Sequence, residues 1–205
     1  MPPLLVVGLG NPGDRYKNTR HNIGFQVIRK VADKLSMTFK TDKKFQGEVA
    51  KTKAAFEGGE EREVIFLLPT TYMNLSGSSV ASMARYLRIL APEVLVVADE
   101  VDIPFGTLKV AMRGSPGTHN GLKDIAAKLG TREFPRLKVG IGDRLYGTLE
   151  SHVLGNFTEE EQALLPDFID KAADAVMSLL TTDIHKVMTA VNYRKKNEPT
   201  KNEPL

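Results

Sequence analysis

Asn11, His21, Asn74, Asp99 and Asn120 are the side chains of this sequence that could share one piece of chemistry, and each lies in or beside a polar loop. The first loop, Gly8-Leu9-Gly10-Asn11-Pro12-Gly13, runs into a basic segment with Arg15, Tyr16, Lys17, Arg20 and His21. Glycines and a proline this close together make a tight turn whose backbone can approach a ligand. Cations suit phosphate, an aromatic face suits a base or sugar, and an imidazole can move protons. Three more loops, Tyr72 to Asn74, Asp99 to Asp102 and Gly117 to Asn120, add acids, asparagines and glycine backbone. If their strands neighbour in one sheet, the four loops offer one histidine, an acid to orient it and three asparagines. No Gly-x-Ser-x-Gly elbow is present, so a serine triad is not indicated. His21, His119, His152 and His185 include no close pair on one helix face, so spacing gives no metal site.

The elements that must position these loops are legible as strands and helices. Leu4-Leu5-Val6-Val7 is short, branched and bounded by glycine, which predicts a buried strand. The Gly8 to Gly13 loop therefore leaves a strand's carboxyl end, where open α/β sheets usually bind ligands. An amphipathic helix is predicted from Asn22 to Ser36, with Phe25, Ile28, Val31, Ala32 and Leu35 at helical spacing. Met37 to Asp42, Phe45 to Phe56 and Glu63 to Leu68 read as an antiparallel meander stopped by Pro69. A helix from about Ser78 to Leu90 leads to a second buried strand, Val94 to Ala98, which presents Asp99 at its end. Thr107 to Met112 and Leu137 to Gly142 read as strands around a short helix, Leu122 to Leu129. Gly147 to Gly155 reads as a mobile, lid-like segment, and the chain is helical from there to about Tyr193. Residues 1–193 are thus expected to form one domain and residues 194–205 a polar, disordered tail.

The chain has 205 residues, 41% of them hydrophobic and 26% charged, the composition of an ordinary soluble protein with a real core. It has no cysteine, which excludes disulfides and thiolate metal sites. With no leader pattern and no stretch of membrane-spanning length, a cytoplasmic location is expected. The net charge is only +3. Acids cluster at Glu57 to Glu63 and Glu159 to Glu161, whereas Arg15, Lys17, Arg20, Lys109, Arg113, Arg136 and Lys138 fall near predicted strand ends. That asymmetry is compatible with a phosphate-rich partner, although on charge alone a solvated mixed surface is the better account. Gly8, Gly10 and Gly13 also match the dinucleotide fingerprint. Its context fails: Asp14 to Arg20 is polar instead of helical, and Asp33 lies inside a helical pattern instead of ending a second strand. A nicotinamide or flavin enzyme is therefore set aside.

Read as strings, the loops resemble the bacterial-type peptidyl-tRNA hydrolase family. The carrying strings are Gly8 to Gly13, Thr19-Arg20-His21-Asn22, Thr70-Thr71-Tyr72-Met73-Asn74-Leu75-Ser76-Gly77, Asp99-Glu100-Val101-Asp102 and His119-Asn120-Gly121-Leu122-Lys123-Asp124. The resemblance runs from Val7 to about Phe157, with a weaker helical continuation. It implies a single α/β domain with a twisted mixed, mostly parallel β-sheet flanked by helices. It also implies hydrolysis of the ester between a peptide's last carbonyl and the terminal ribose of tRNA, by a monomer needing neither cofactor nor metal.

Such a reaction needs a water activated by a base and donors for the oxyanion. By resemblance His21 is the base, and an unperturbed imidazole, titrating at about 6.5, suits the task. Asp99 would hold and polarise its ring. Asn11, Asn74 and Asn120 would contact the peptide and terminal nucleotide, with Asn74 also positioning water or donating to the oxyanion. Asn11 would distinguish a blocked amino group from a free one. Tyr16 and Tyr72 would meet tRNA, the Gly117 N–H would be an extra donor, and Lys138 would meet the 5′-phosphate.

The sequence departs from the family pattern at Ala111, where a second basic residue is expected, with Lys109 or Arg113 able to substitute. Thr118 stands where glycine is usual before His119, and Ser115-Pro116 replaces a glycine-rich piece, so this loop should be stiffer. Ala98 precedes Asp99 where many members carry histidine. Taken one at a time, each polar residue also fits a cap, a turn or core packing. A non-catalytic RNA-binding relative would keep the groove but needs neither His21 nor Asp99.

Overall fold

In the computed structural model, which describes residues 1–143 and 147–192, β1 (Leu4–Gly8) is buried along its whole length. The reason is that both of its faces are covered. Leu4 and Val6 pack into one core with Ile23, Val27, Ile28 and Val31 of α1 (Ile23–Lys34) and Phe168, Ala172 and Val176 of α5 (Glu159–Thr181). Leu5 and Val7 face a second core with Val80, Met83 and Ala84 of α2 (Ser76–Leu87) and Leu122 and Ile125 of α3 (Asn120–Leu129). A strand enclosed on both sides reads as a continuous apolar run, as Leu4 to Val7 does.

The remaining strands are β2 (Lys40–Asp42), β3 (Gly47–Ala55), β4 (Glu61–Pro69), β5 (Val94–Glu100), β6 (Leu108–Ala111) and β7 (Arg136–Gly140). They form one sheet in the order β2-β3-β4-β1-β5-β7-β6. β4, β1, β5 and β7 are mutually parallel, while β3 and β6 run against their neighbours. β2 is antiparallel to β3, so the expected meander is present and five of the seven strands share a direction. The chain is a single α/β domain with a mixed, mostly parallel sheet between helices.

β1 sits where the strand order reverses, with β4 on one side and β5 on the other. Ligand crevices in open sheets form at such a switch point. The edge strand β6 is closed by α6 (Ile184–Asn192). Asn192 Nδ2 donates to the Val110 carbonyl at 2.8 Å, and its Oδ1 accepts the Val110 N–H at 2.8 Å, as a further strand would.

Two expectations are corrected. β5 continues through Asp99 and Glu100, so Asp99 is a strand residue in register with Val139 and not a loop acid. Of Gly147 to Gly155, residues 149–153 form a short helix, α4 (Leu149–Val153), closed by a Thr148/Ser151 capping box. That segment is also tethered: His152 Nε2 donates to the Gly142 carbonyl at 2.9 Å, and the Arg20 N–H donates to the Gly155 carbonyl at 3.0 Å. The predicted tail lies outside the described residues.

α2 and α3 touch at Gly77, whose N–H donates to Asp124 Oδ2 at 2.7 Å. A Cβ there would fall 2.3 Å from the Asp124 backbone oxygen. Gly77→Ala is therefore expected to cost about 1–3 kcal/mol of stability. A thermal melt reads this as a fall of roughly 2–4 °C per kcal/mol, and an unchanged midpoint would contradict the close packing.

Candidate active site

The loop after β1 is pinned at both ends of Leu9, whose N–H donates to the Val97 carbonyl at 3.0 Å and whose carbonyl accepts from the Phe25 N–H at 3.1 Å. Gly24 permits this approach, since a Cβ there would lie 2.4 Å from the Val97 oxygen. Between Gly13 and α1 run two short 3-10 turns, Asp14–Tyr16 and Arg20–Asn22, instead of the helix a dinucleotide fingerprint requires. The glycines thus shape a floor.

Asn11, buried on that floor, is fixed by its neighbours. Its N–H donates to Asn22 Oδ1 at 2.8 Å, and Asn22 Nδ2 donates back to its carbonyl at 2.9 Å. The Met73 N–H donates to Asn11 Oδ1 at 2.8 Å. Because a backbone N–H can only donate, this contact sets the amide's orientation and leaves Nδ2 without a partner among the described residues, on a side chain that lines the cleft. The oxygen half of Asn11 is already engaged, so its donor half is the one offered.

His21 comes from the Arg20–Asn22 turn and is buried, with Nδ1 at 2.8 Å from Asp99 Oδ1. A second imidazole converges on the same oxygen: His119 Nε2 lies 3.0 Å from Asp99 Oδ1, and the two ring centres are 4.8 Å apart. The site therefore holds two histidines, not the single one read from the loops.

Their tautomers follow from the donors around them. The Leu122 N–H donates to His119 Nδ1 at 3.3 Å, capping α3, so the proton of His119 sits on Nε2 and is given to Asp99. Protonating His119 Nδ1 would break that cap. The negative charge of Asp99 is thus kept for His21, whose Nδ1–H also donates to it and whose Nε2 is unpartnered among the described residues in a ring lining the cleft.

Burial alone would push the Asp99 carboxyl up. The electrostatic interaction with His21 and then His119, with a hydrogen bond from each ring, outweighs burial and holds Asp99 well below the usual carboxylate range. Asp99 is therefore ionised at neutral pH.

The ligand atoms of His21, Asp99 and His119 lie within 4.8 Å of one another, a spacing that could hold a metal ion. The tautomer argues against a good fit. His119 Nε2 carries the proton that a metal would have to displace, and its other nitrogen is committed to the Leu122 N–H.

These groups open on a cleft of about 1240 Å³ lined by Asn11, His21, Asp99, His119, Tyr72, Asn74, Asn120, Gly117, Lys138 and Lys109, among others. Asn74 sits in the 3-10 turn Met73–Leu75, exposed and with its side chain unbonded among the described residues, and it does not cap α2. Asn120 is the exposed first residue of α3. Tyr72 is 53% exposed on the rim. Gly117 faces the cleft, but its N–H is given to Ser115 Oγ at 3.2 Å. Lys138 pairs with Glu100 at 2.6 Å, and Lys109 stands directly opposite it across the β6/β7 ladder.

Two cations expected near phosphate are structural. Arg20 is buried on Glu161 at 2.6 Å, on the Asn156 carbonyl and over the Phe157 ring, and Arg136 is wholly enclosed. Tyr16 does not reach the cleft; Arg15 lies 4.5 Å over its ring. His119, Asn22 and the Met73 N–H were not picked out from the sequence. His119 stood in a loop already singled out, but only the fold shows that it shares an oxygen with His21.

An open α/β sheet that gathers a histidine–carboxylate cluster at its carboxyl edge has the chemistry that activation of a water would need. A family model described as peptidyl-tRNA hydrolase matches residues 5–200. The peptidyl-tRNA hydrolase of Chloroflexus aurantiacus is 43% identical over 191 residues, covering 92% of this chain and 98% of that one. That of Synechococcus elongatus is 39% identical over 204 residues, covering 96% of each. The crystal structure of peptidyl-tRNA hydrolase from Acinetobacter baumannii superposes with a TM-score of 0.83 at 37% identity, covering 94% of this chain and 95% of that one. The chain belongs to the peptidyl-tRNA hydrolase family, hydrolases that release peptide from peptidyl-tRNA.

Proposed function

We propose that this chain cleaves the ester of peptidyl-tRNA with His21 as general base, Asp99 as the partner that orients and charges it, and no metal ion. The observation that carries this is the anchoring of His21: Nδ1–H is committed to Asp99, while Nε2 has no partner among the described residues, in a ring lining the cleft. A water held by Nε2 attacks the ester carbonyl, and the imidazolium that forms is paired with a carboxylate already ionised. Asn74 offers an amide to the developing oxyanion or to the water.

Asn11 Nδ2 donates to a carbonyl of the peptide. Tyr72 provides a face for a base of the acceptor end, Asn120 a further polar contact, and Lys109 beside Lys138 the positive charge that phosphate needs. Gly117 contributes a donor only if Ser115 Oγ releases it. Tyr16 meets tRNA outside the cleft. We place the enzyme, as a monomer whose domain extends over residues 1–193, in the cytoplasm.

Hydrolysis of N-acetylaminoacyl-tRNA in ¹⁸O-labelled water tests the reaction. The label is expected in the carboxyl of the released amino acid and not in the tRNA 3′-hydroxyl; label in the tRNA would overturn attack at the carbonyl.

Asn11→Asp is expected to weaken discrimination between blocked and free aminoacyl-tRNA by about tenfold, because a carboxylate cannot donate and attracts a free ammonium. The ratio of kcat/KM values for the two substrates checks this, and an unchanged ratio would remove Asn11 from substrate reading.

A further inference from the structure

Arg136, the first residue of β7, has 0% exposure and is the largest fully buried side chain among the described residues. No carboxylate pairs with it among the described residues. Its Nη1 donates to the Ser115 carbonyl at 2.9 Å, its Nη2 to the Arg132 carbonyl at 3.3 Å, and its guanidinium lies 4.4 Å from the Phe134 ring centre. Nε is buried with no partner among the described residues. Burial lowers its pKa, the charge of Glu100 opposes that, and Arg132 adds to it. A buried ion without a counter-ion is costly, and an apolar side chain of similar volume often serves stability as well or better. Stability is therefore a poor account of why an arginine stands here.

The contacts of residues 112–118 supply a better one. Among the described residues their backbone is otherwise bonded only locally, by the Gly117 N–H to Ser115 Oγ and by the His119 N–H to the Pro116 carbonyl. The Arg113–Glu133 pair is exposed and holds little. The Arg136 bond to the Ser115 carbonyl is the one that ties this segment's backbone to the sheet. Four residues after Ser115 comes His119, whose ring must meet both Asp99 and the Leu122 N–H.

We propose that Arg136 is a positioning residue, whose buried guanidinium anchors the loop between β6 and α3 so that His119 and Asn120 are held against Asp99 and the cleft. This rests on the hydrolytic reading of the site for its kinetic consequence, but the loop restraint itself does not. In Arg136→Met the charge and both donors go while the volume is largely kept. The melting midpoint is expected to stay level or rise. Amide exchange at residues 114–119 speeds up, and kcat on N-acetylaminoacyl-tRNA falls by about tenfold to a hundredfold with KM changed much less. Arg136→Lys, able to reach one carbonyl, recovers part of the rate.

A lowered midpoint with kcat per folded molecule unchanged, or amide exchange unchanged at residues 114–119, would overturn the proposal. Should Arg136→Met not fold, Arg136→Lys decides: a reduced kcat at a normal midpoint supports the anchor, and a full kcat refutes it. If the wild-type protein fails to release the amino acid, the hydrolytic reading is wrong, while the exchange measurement still judges the anchor.

Discussion

Replacing His21 by alanine is expected to slow release of an N-acetylated amino acid from tRNA by about 10²–10⁴-fold, the usual contribution of a general base. The expectation follows from geometry. Nε2 of His21 is the ring nitrogen at the cleft that is neither capped nor donating, since His119 has both of its nitrogens engaged. His119 cannot take over without giving up the Leu122 cap. The fold should survive, because the truncated ring lies at the cleft wall and not in either apolar core. Single-turnover rates beside a thermal melt check this, and a folded variant that keeps the wild-type rate would remove His21 from the mechanism.

The second large effect concerns Asp99. In a serine-protease triad, changing the aspartate to asparagine costs about 10⁴-fold, mainly by selecting the wrong histidine tautomer. Here both imidazole N–H groups reach the same oxygen, Oδ1. An asparagine placed with its oxygen between them keeps both hydrogen bonds and both tautomers. What Asp99→Asn removes is the charge that balances the imidazolium. A loss of about 10²–10³-fold is therefore expected, the range for removing one fixed electrostatic partner of a transition state.

The same substitution has a pH signature in stability. The Asp99 carboxyl is held low in the folded protein, so its stabilising effect is fully present above the carboxyl's unfolded value of about 3.9 and is lost as pH falls through the folded value. Wild type should melt above Asp99→Asn at neutral pH, with the gap closing in strong acid. A gap independent of pH would mean that the contact is not ionic.

Much of this architecture is legible in the sequence because burial on both faces leaves a simple trace. Leu4 to Val7 and Val94 to Ala98 are unbroken apolar runs, and the segment after the first meets the end of the strand built on the second. Asn11 and Asn74 are legible as polar residues past strand ends, although not which half of Asn11 is free. That depends on the Met73 N–H, a contact 62 positions away.

Charge was the least informative sign. Arg20 and Arg136 read as cations near strand ends, yet both are buried, Arg20 on the Glu161 carboxylate and the Asn156 carbonyl, Arg136 on two carbonyls, and each beside an aromatic ring. The glycines at 147 and 155 suggested looseness, while the Thr148/Ser151 box between them builds a helix turn. The pairing of His21 and His119 across Asp99 joins the turn before α1, the start of α3 and the end of β5, and no local pattern encodes that.

The central claim is that an imidazole held by Asp99, and no metal, drives hydrolysis of a blocked aminoacyl ester. The most direct measurement is the rate of amino acid release from N-acetylaminoacyl-tRNA and from free aminoacyl-tRNA, with a strong chelator present throughout. The account predicts undiminished release from the blocked substrate and little from the free one; loss of activity in chelator, or equal release from both, would contradict it.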